Sequence, residues 1–447
     1  MKNRIVVIGG LAAGPSAAAK AKRVDPDTEV VLYEQGEHVS YGICEIPFWL
    51  GGIITDPDLL NPFSPERLGR EKGVKALTSH LVEYIDPVQR KIIVRDLWRE
   101  RVVESTFHKL VMAAGSLSRR LNVHGENARN VFFLKSLANG YAIKNWLKQE
   151  HPQRAVIVGG GYVGVEMAEA LRRQGLHVQL ILHHSFPLNR LEEPTRHAVR
   201  QTLQNAGVEI FENQIVERFE VDSANRAAAV VTTAGRLNGD LFVVAIGVQP
   251  NTELARNAGI RLGSFGGIVT DERQCTSLDG IYAAGDCCET KNLVTNRHSY
   301  MPLATVAARQ GRIAGENVAG GSALFKGALG STSLKLFDKE FFHAGLTSQQ
   351  AREAGFDCRV DVVASTTKVG FYPGSESSTV VGISERKTRR LLGVDAFGGV
   401  GTVHRGNTMT LAIQQRMTLD DIARTDLAYS PPFSPLWDPI LTLSTRR

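Results

Sequence analysis

The sequence predicts an α/β fold in three parts, and three observations lead to that prediction. Two glycine-rich turns, at Gly9 and Gly159, each follow a short apolar strand and precede a helix. Further apolar strands that end in glycine connect these turns. After about Phe325 the pattern changes to short strands with proline and glycine turns, and a helix near residues 408–416. A chain of 447 residues has room for two Rossmann-like dinucleotide-binding domains and a smaller α+β domain.

The first glycine turn follows a predicted strand at residues 5–8. Gly9 and Gly14 stand where such a turn needs glycine, because the backbone must bend tightly and approach a pyrophosphate. Leu11 takes the place of the middle glycine, so this copy is incomplete. Glu34 ends the next strand twenty residues after Gly14, a spacing at which a carboxylate accepts hydrogen bonds from a ribose. Glu34 therefore supports the incomplete motif.

The second glycine turn is complete. Gly159, Gly161 and Gly164 form G-x-G-x-x-G between a predicted strand at 155–158 and a predicted helix at 165–174. Unpaired N–H groups and a partial positive charge at the start of a helix favour a bound pyrophosphate. One such motif is weak evidence for a nucleotide site, but two copies in order indicate two nucleotide-binding domains.

Three more apolar strands are predicted at 110–115, 241–247 and 281–286. The first ends at Gly115, and the last ends in Gly-Asp at Asp286. Their continuous apolar character is typical of buried parallel strands.

Composition excludes several classes of protein. There are 52 Lys and Arg against 46 Asp and Glu, a formal charge of +6, with no run of five basic residues, so we expect no nucleic-acid partner. No apolar run approaches the ~18 residues of a membrane span, and glycines interrupt the apolar N-terminal stretch that imitates a signal peptide. Five cysteines in so long a chain do not form a disulfide framework. The expected protein is cytoplasmic, without membrane association, and binds small molecules.

The two glycine turns, the segment Tyr-Ala-Ala-Gly-Asp at 282–286 and the third domain resemble the FAD-dependent pyridine nucleotide–disulfide oxidoreductases over essentially the whole chain. The resemblance implies an FAD-binding domain from residues 1–118 and 270–322, an NAD(P)H-binding domain at 119–269, and a C-terminal dimerisation domain at 323–447. It also implies a homodimer, with FAD and NADPH or NADH as cofactors. The residues that it assigns to FAD are Gly9, Gly14, Glu34, Gly115, Asp286 and Pro302.

The resemblance assigns the nicotinamide nucleotide to Gly159, Gly161, Gly164 and His183. Proteins that use NADH tend to have a carboxylate at the end of the second strand of this domain, where it binds the 2′-hydroxyl. Here His183 and His184 stand at that position. A histidine cation, together with Arg190, could attract a 2′-phosphate. NADPH is therefore favoured, and NADH stays open.

Cys44 lies where this family carries its redox cysteine. Members with an internal disulfide have Cys-x4-Cys there, but Trp49 stands at the second position, and the C-terminal His-Pro signature is missing. What remains resembles the single-cysteine branch, which contains coenzyme A disulfide reductases, NADH oxidases, NADH peroxidases and persulfide reductases. Ala12 replaces the histidine that assists peroxide or oxygen chemistry in that branch. Thiol chemistry at Cys44 is the expected outcome.

The neighbours of Cys44 depart from the family pattern, because Ile43 replaces the usual Asn and Glu45 replaces a small residue. A carboxylate beside a thiolate raises the pKa of the thiol unless it points away, and it repels an anionic substrate. The resemblance also places C-terminal tyrosines of the partner subunit over the cysteine, here Tyr372 and Tyr429, where a phenol could donate a proton to the departing thiol. The alternative is that these tyrosines only pack in the dimer interface.

Several further residues are candidates through the same resemblance. Lys20, Lys22 and Arg23 end the first helix, where related enzymes hold coenzyme A phosphates, although they could equally be a solvated helix end. Ser40 begins the cysteine segment and joins the substrate-binding set. The other cysteines, for which we expect packing roles and no metal, are Cys275, Cys287, Cys288 and Cys358.

The expected function is an NAD(P)H-dependent flavoprotein reductase of coenzyme A disulfide or a related small disulfide. An NAD(P)H oxidase or a reductase of persulfides or polysulfides is the alternative. A flavin-bound redox sensor is a remote third possibility, since the nucleotide motif is intact. Nothing that resembles a rhodanese domain follows the third domain in this sequence, which weakens the persulfide alternative without removing it.

Overall fold

The computed structural model describes residues 3–446. Its strands are β1 (Arg4–Ile8), β2 (Glu29–Tyr33), β3 (Lys75–Leu77), β4 (His80–Asp86), β5 (Lys91–Asp96), β6 (Arg101–Thr106), β7 (Lys109–Met112), β8 (Ser116–Ser118), β9 (Val131–Phe133), β10 (Arg154–Val158), β11 (His177–Ile181), β12 (Val208–Phe211), β13 (Val216–Val221), β14 (Ala227–Thr232), β15 (Gly235–Asn238), β16 (Leu241–Val244), β17 (Val248–Pro250), β18 (Ile281–Ala283), β19 (Thr290–Lys291), β20 (His298–Ser299), β21 (Thr332–Leu336), β22 (Lys339–Gly345), β23 (Cys358–Thr366), β24 (Ser377–Glu385) and β25 (Leu391–Gly398). Its helices are α1 (Ala13–Val24), α2 (Ile46–Leu50), α3 (Pro65–Lys72), α4 (Leu137–Glu150), α5 (Tyr162–Arg173), α6 (Glu193–Asn205), α7 (Glu253–Asn257), α8 (Ala304–Val318), α9 (Ser348–Glu353), α10 (Thr402–Gln414), α11 (Leu419–Ala423) and α12 (Pro439–Ser444). Within residues 3–446, no helix has both the length and the apolar character to cross a membrane.

The first sheet is parallel, with the strand order β18-β7-β1-β2-β3. Ile5 and Val7 of β1 face α1 and α8 in one apolar cluster, whereas Val6 and Ile8 face the antiparallel strands β4 and β5 in another. Because both faces are covered, these strands are continuous apolar runs after the charged residues that begin β1, β2, β3 and β7. Strand β18 joins this sheet although the second sheet intervenes in sequence.

The second sheet repeats this plan, with the parallel order β12-β11-β10-β16-β9. Helix α5 packs on one face, and the antiparallel strands β13, β14 and β15 lie on the other. The predicted helix at 165–174 starts earlier, at Tyr162, because Gly161 is its N-cap in extended conformation. The two predicted Rossmann-like domains are thus confirmed as two parallel sheets with the same layering.

The third sheet is antiparallel, in the order β21-β22-β25-β24-β23. Helix α10 lies close against it, since a Cβ added at Gly406 would approach the Phe342 ring to 2.2 Å. The predicted helix at 408–416 begins six residues earlier, after Gly401, and ends before Arg416, which has a left-handed φ of 56°. This is the predicted α+β part.

The largest apolar core joins all three parts. It contains Trp49 of α2, Leu171 of α5, Leu334 of β21 and Phe341 of β22. Cys44 precedes α2 by two residues. The packing of α2 therefore fixes the position of the cysteine segment between the sheets.

Candidate active site

The first glycine turn has the geometry of a pyrophosphate site. Gly9 has φ +107°, and a Cβ added there would lie 2.1 Å from the Ala113 carbonyl oxygen. A Cβ at Gly14 would lie 1.8 Å from the Gly9 carbonyl oxygen, so both positions require glycine. Helix α1 begins here, and its N-cap, Ala12, offers no side-chain cap. The first N–H groups of α1 are therefore free to bind an anion.

Glu34 closes one side of this turn. Its Oε2 accepts a hydrogen bond from the Gly10 N–H at 2.6 Å, and its Oε1 accepts one from the Gly36 N–H at 2.7 Å. These bonds fix the carboxylate at the carboxyl end of β2. Each carboxylate oxygen can accept a second hydrogen bond, so a ribose hydroxyl remains a possible partner.

The second glycine turn shows a similar cradle. Gly159 has φ +108°, and a Cβ at Gly164 would lie 1.9 Å from the Gly159 carbonyl oxygen. Gly161 is different: its φ of −76° suits any residue, and nothing lies within 4 Å of an added Cβ. Neither backbone conformation nor packing within the chain demands glycine there. The open space at the start of α5 fits the close approach of a dinucleotide.

His183 follows β11 at the edge of the second turn. It is exposed, as are His184 and Arg190, and the two imidazole rings meet edge to face at 4.8 Å between centroids. These exposed cationic or titratable groups could reach a 2′-phosphate.

Asp286 is the centre of a polar cluster at the carboxyl ends of the first sheet. Its Oδ2 accepts a hydrogen bond from Ser116 Oγ at 2.8 Å and lies 3.5 Å from Lys135 Nζ. Gly115 has φ +70°, with nothing within 4 Å of an added Cβ. Pro302 is half-buried just before α8, whose N-cap also lacks a side-chain hydrogen bond. These features fit a flavin whose ribityl–phosphate arm passes Asp286.

Cys44 is a free cysteine and is exposed as a residue, although its surroundings still withdraw its thiol from water in part. Burial within its surroundings raises the pKa of Cys44, the carboxylates of Glu166 and Glu45 raise it further, and Lys135 partly offsets them. The predicted effect of Glu45 on the pKa of the thiol therefore has the expected direction. The Glu45 carboxylate is folded back over its own loop, with an oxygen 2.1 Å from a Cβ added at Gly42.

Glu166 is a residue that sequence reasoning missed. Helices α2 and α5 touch where a Cβ added at Gly51 would lie 3.1 Å from Ala170 Cα, and Glu166 is one helical turn before Ala170. Glu166 lines a small cavity together with Pro47 and Phe48 of α2. Burial, and then the charge of Glu169, raise the pKa of Glu166 to about 7. A carboxyl with a pKa of about 7 thus contributes to the electrostatics of the Cys44 thiol.

Lys135 and Ser116 were also missed, because no motif marks them. Their only sequence signal is position, since Lys135 follows β9 closely and Ser116 follows Gly115. The fold brings both to Asp286 from distant parts of the chain.

The chain segments that contain Tyr372 and Tyr429 lie next to each other in the third part of the fold. The Val369 N–H donates to the Pro431 carbonyl oxygen at 3.4 Å. Arg405 is buried, pairs with Asp438 at 2.8 Å, and donates to the Thr367 carbonyl oxygen at 3.0 Å. Arg405 therefore binds residues that flank both tyrosines in the chain, Thr367 before Tyr372 and Asp438 after Tyr429. Their aromatic groups remain accessible, since Tyr372 is half-buried, Tyr429 is 47% exposed and Phe433 is 78% exposed.

Among the substrate candidates, Lys20 has a partner within the chain. Its Nζ lies 2.9 Å from Glu316 of α8, which ties α1 to α8. Arg23 is exposed, and Ser40 is half-buried with a left-handed φ of 55°. The remaining cysteines are free and mostly buried; Cys287 and Cys288 have their sulfurs 3.9 Å apart. Among residues 3–446 no cluster of His, Cys, Asp and Glu has the composition of a metal site.

Comparison with known proteins shows which families, sequences and structures this chain is similar to. The family described as pyridine nucleotide-disulphide oxidoreductase matches residues 3–311, and its dimerisation domain matches residues 332–439. A NAD(P)H coenzyme A polysulfide/persulfide reductase of Pyrococcus horikoshii is 35% identical over 99% of this chain and 98% of its own. The structure of a NAD-dependent persulfide reductase from A. fulgidus has a TM-score of 0.95 at 32% identity, covering 99% of this chain and 82% of that one. The structure of reduced Bacillus anthracis CoADR-RHD has a TM-score of 0.96 at 29% identity, covering 99% and 80%.

Proposed function

The chain belongs to the pyridine nucleotide-disulphide oxidoreductase family, and from this membership we propose that it reduces the disulfide of coenzyme A, or a related small disulfide, through Cys44. It is an FAD-dependent NAD(P)H oxidoreductase that acts on sulfur compounds. The observation that carries the proposal for Cys44 is its free sulfur on an exposed residue, where Glu166 raises and Lys135 lowers the pKa of the thiol.

The cofactor sites follow from the two glycine turns. We assign FAD to Gly9, Gly14 and Glu34 of the first turn, and NADPH to Gly159, Gly161 and Gly164 of the second. When bound, FAD supplies the transfer of an electron pair from NADPH to sulfur. Lys135 and Asp286 form an ion pair at the carboxyl ends of the first sheet, and the free N–H groups at the starts of α1 and α5 would hold the two pyrophosphates.

Cys44 forms and breaks the sulfur–sulfur bonds. Its thiolate attacks one sulfur of the substrate disulfide, the first thiolate leaves, and a disulfide between Cys44 and the second half of the substrate remains. The electron pair from NADPH then cleaves this bond, releases the second thiolate and restores the Cys44 thiolate. One NADPH, one proton and one disulfide give one NADP⁺ and two thiols.

Protons must reach the departing thiolates. A carboxyl with a pKa of about 7, such as that of Glu166, is partly protonated at neutral pH and can hold a proton near Cys44. Tyr429 is the second proposed donor, supplied by the partner subunit of a homodimer. The exposed aromatic side chains of Phe433 and Trp437 do not close the core of their own domain, which supports their use in an interface.

A persulfide of coenzyme A is the second candidate substrate. It is favoured by the Pyrococcus horikoshii relative, which is named as a polysulfide/persulfide reductase and 98% of whose length this chain covers. The balance is similar, since one NADPH and one proton convert the persulfide into one thiol and one hydrogen sulfide. Glu45 lies exposed beside Cys44, so either anionic substrate must tolerate its charge.

The test is Cys44→Ser in the holoenzyme. We expect NADPH to reduce the flavin at an unchanged rate in stopped-flow absorbance, because the hydride step does not use the thiol. Thiol release from coenzyme A disulfide should fall to background. Sulfide release from the persulfide and oxygen consumption, measured in parallel on the wild type, separate the reductase activities from an oxidase. Retained thiol release in the variant would refute the role of Cys44.

The homodimer is tested by mixing Cys44→Ser subunits with Tyr429→Phe subunits. If each site takes Cys44 from one chain and Tyr429 from the other, a mixed dimer contains one intact site, and part of the activity returns. Mixtures that never exceed the flavin-loaded parents would show that the site does not cross the dimer.

A further inference from the structure

Residues 183–192, between β11 and α6, are here called the nucleotide loop. Its exposed members include His183, His184 and Arg190, the groups proposed to meet a 2′-phosphate. The middle of the loop is fixed to the second glycine turn, because the N–H of the buried Leu188 donates to the Gly160 carbonyl oxygen at 2.8 Å. The loop thus has one anchor inside its own domain.

The end of the loop has a second anchor, in the dimerisation domain. The Glu192 N–H donates to Asp395 Oδ2 at 2.7 Å. The Glu192 carboxylate accepts hydrogen bonds from the Ser348 N–H at 2.6 Å and from Ser348 Oγ at 3.1 Å. On the other side of Asp395, Oδ1 lies 2.7 Å from His343 Nδ1. All three linking residues are buried, Asp395 completely.

The hydrogen bonds that join Glu192 to Ser348 and Asp395 favour one conformation of the loop end. Buried carboxylates are costly unless their hydrogen bonds are made, and bonds to a charged group are stronger than neutral ones. If the Glu192 carboxylate left Ser348, two charge-assisted hydrogen bonds would be lost, and its N–H is held at the same time by Asp395. Because Glu192 is the last residue of the nucleotide loop, these bonds restrict where Arg190 can lie.

We propose that Glu192, Ser348 and Asp395 are positioning residues for NADPH: Ser348 and Asp395 of the dimerisation domain hold Glu192, and through it the nucleotide loop, in the conformation that binds the 2′-phosphate. The proposal rests on the proposed use of NADPH. It adds that the affinity for the 2′-phosphate depends on residues outside the nucleotide-binding sheet that do not touch the nucleotide.

The experiment measures binding of adenosine 2′,5′-bisphosphate and of 5′-AMP to the flavin-loaded enzyme by calorimetry, and the KM and kcat of flavin reduction by NADPH. In Glu192→Ala we expect the bisphosphate Kd and the NADPH KM to rise about tenfold, with 5′-AMP binding and kcat nearly unchanged. Glu192→Gln should restore most of the affinity, because its amide can both accept from the Ser348 N–H and donate to Ser348 Oγ. Ser348→Ala, the mildest change, should weaken binding about two- to threefold.

Glu169→Ala is the matched control. Glu169 is equally buried, and its Oε2 accepts a hydrogen bond from the Phe337 N–H of the dimerisation domain at 2.8 Å, but it lies on α5 and outside the nucleotide loop. We expect its bisphosphate Kd to match that of the wild type. Equal weakening in Glu169→Ala, no weakening in the folded Glu192 and Ser348 variants, or a wild type that does not prefer the bisphosphate to 5′-AMP would overturn the proposal. None of these measurements uses Cys44 or a disulfide, so they are independent of the test of thiol chemistry.

Discussion

The two glycine turns of this protein have the same backbone and different surroundings. Gly9 and Gly159 have φ values of +107° and +108°. The added Cβ atoms at Gly14 and Gly164 would lie 1.8 Å and 1.9 Å from the carbonyl oxygens of these first glycines. Each turn therefore needs its first and last glycine for reasons inside the chain, whatever ligand it binds.

The two turns differ at the positions where a bound nucleotide would lie. The middle position is Leu11 in the first turn and the unconstrained Gly161 in the second. Directly after the second strand stands Glu34, fixed by two backbone N–H groups, in the first domain, whereas the matching residue of the second domain is the buried Leu182, which the exposed His183 follows. The comparison shows that two different sets of residues are involved: the first and last glycines maintain the turn, and the residues that differ select the nucleotide.

The helices that follow the turns differ as well. Two residues after the last glycine, α1 has Ser16, whose Oγ donates back to the Ala12 carbonyl oxygen at 2.6 Å. At the matching position α5 has Glu166, which contributes to the electrostatics of Cys44. The nucleotide-binding helix thus also belongs to the thiol site, whereas the corresponding residue of α1 serves its own helix.

The largest expected effect is on the NADPH KM, which should rise far more in Gly164→Ala than in Gly161→Ala. In Gly164→Ala the new Cβ meets backbone that cannot move aside, so we expect a roughly 100-fold rise in the NADPH KM with the flavin retained. In Gly161→Ala the Cβ enters open space, so the melting temperature should stay within about 1 °C and the KM should rise only about tenfold, through the ligand. Stopped-flow flavin reduction and thermal melting measure both.

Gly14→Ala is the counterpart in the first turn, and flavin content is its readout. We expect purified Gly14→Ala to contain little FAD, because its Cβ would collide with the Gly9 carbonyl oxygen. If Gly161→Ala melted as low as Gly164→Ala, the distinction between internal and ligand-facing glycines would be wrong.

The sequence was sufficient for the parts of the site that local rules determine. Gly9 and Gly159 are recognised by their order along the chain, since strand, turn and helix follow one another directly, whereas Cys44 was identified only through the resemblance to a known family. Lys135 and Glu166 were not predicted, because their positions depend on how β9 and α5 pack against other elements. Sequence also offered Lys20 as a phosphate ligand, and only the packing of α1 on α8 gives it Glu316 as a partner.

A smaller effect is expected from making the second turn resemble the first. His183→Glu places a carboxylate one residue after Leu182, the position that corresponds to Glu34 of the other domain. It should repel a 2′-phosphate and accept from a 2′-hydroxyl, so we expect the ratio of kcat/KM for NADPH over NADH to fall about tenfold. His183→Gln is the control, because it removes the imidazole without adding charge and should change this ratio less. An unchanged ratio in His183→Glu would exclude this residue from the choice of nucleotide.

The smallest expected effect concerns the difference between Ser16 and Glu166. Glu166→Gln removes a negative charge that helps to raise the pKa of the Cys44 thiol, so this pKa should fall and more thiolate should exist at neutral pH. We expect the alkylation of Cys44 by iodoacetamide at pH 7, followed by mass spectrometry, to become about twofold faster, and its pH profile to move to lower pH. Glu45→Gln is the control: Glu45 raises the pKa of the same thiol less than Glu166 does, so its profile should move in the same direction by less. A profile that moves to higher pH in Glu166→Gln, or moves more in Glu45→Gln, would show that the nucleotide-binding helix does not set the thiol pKa.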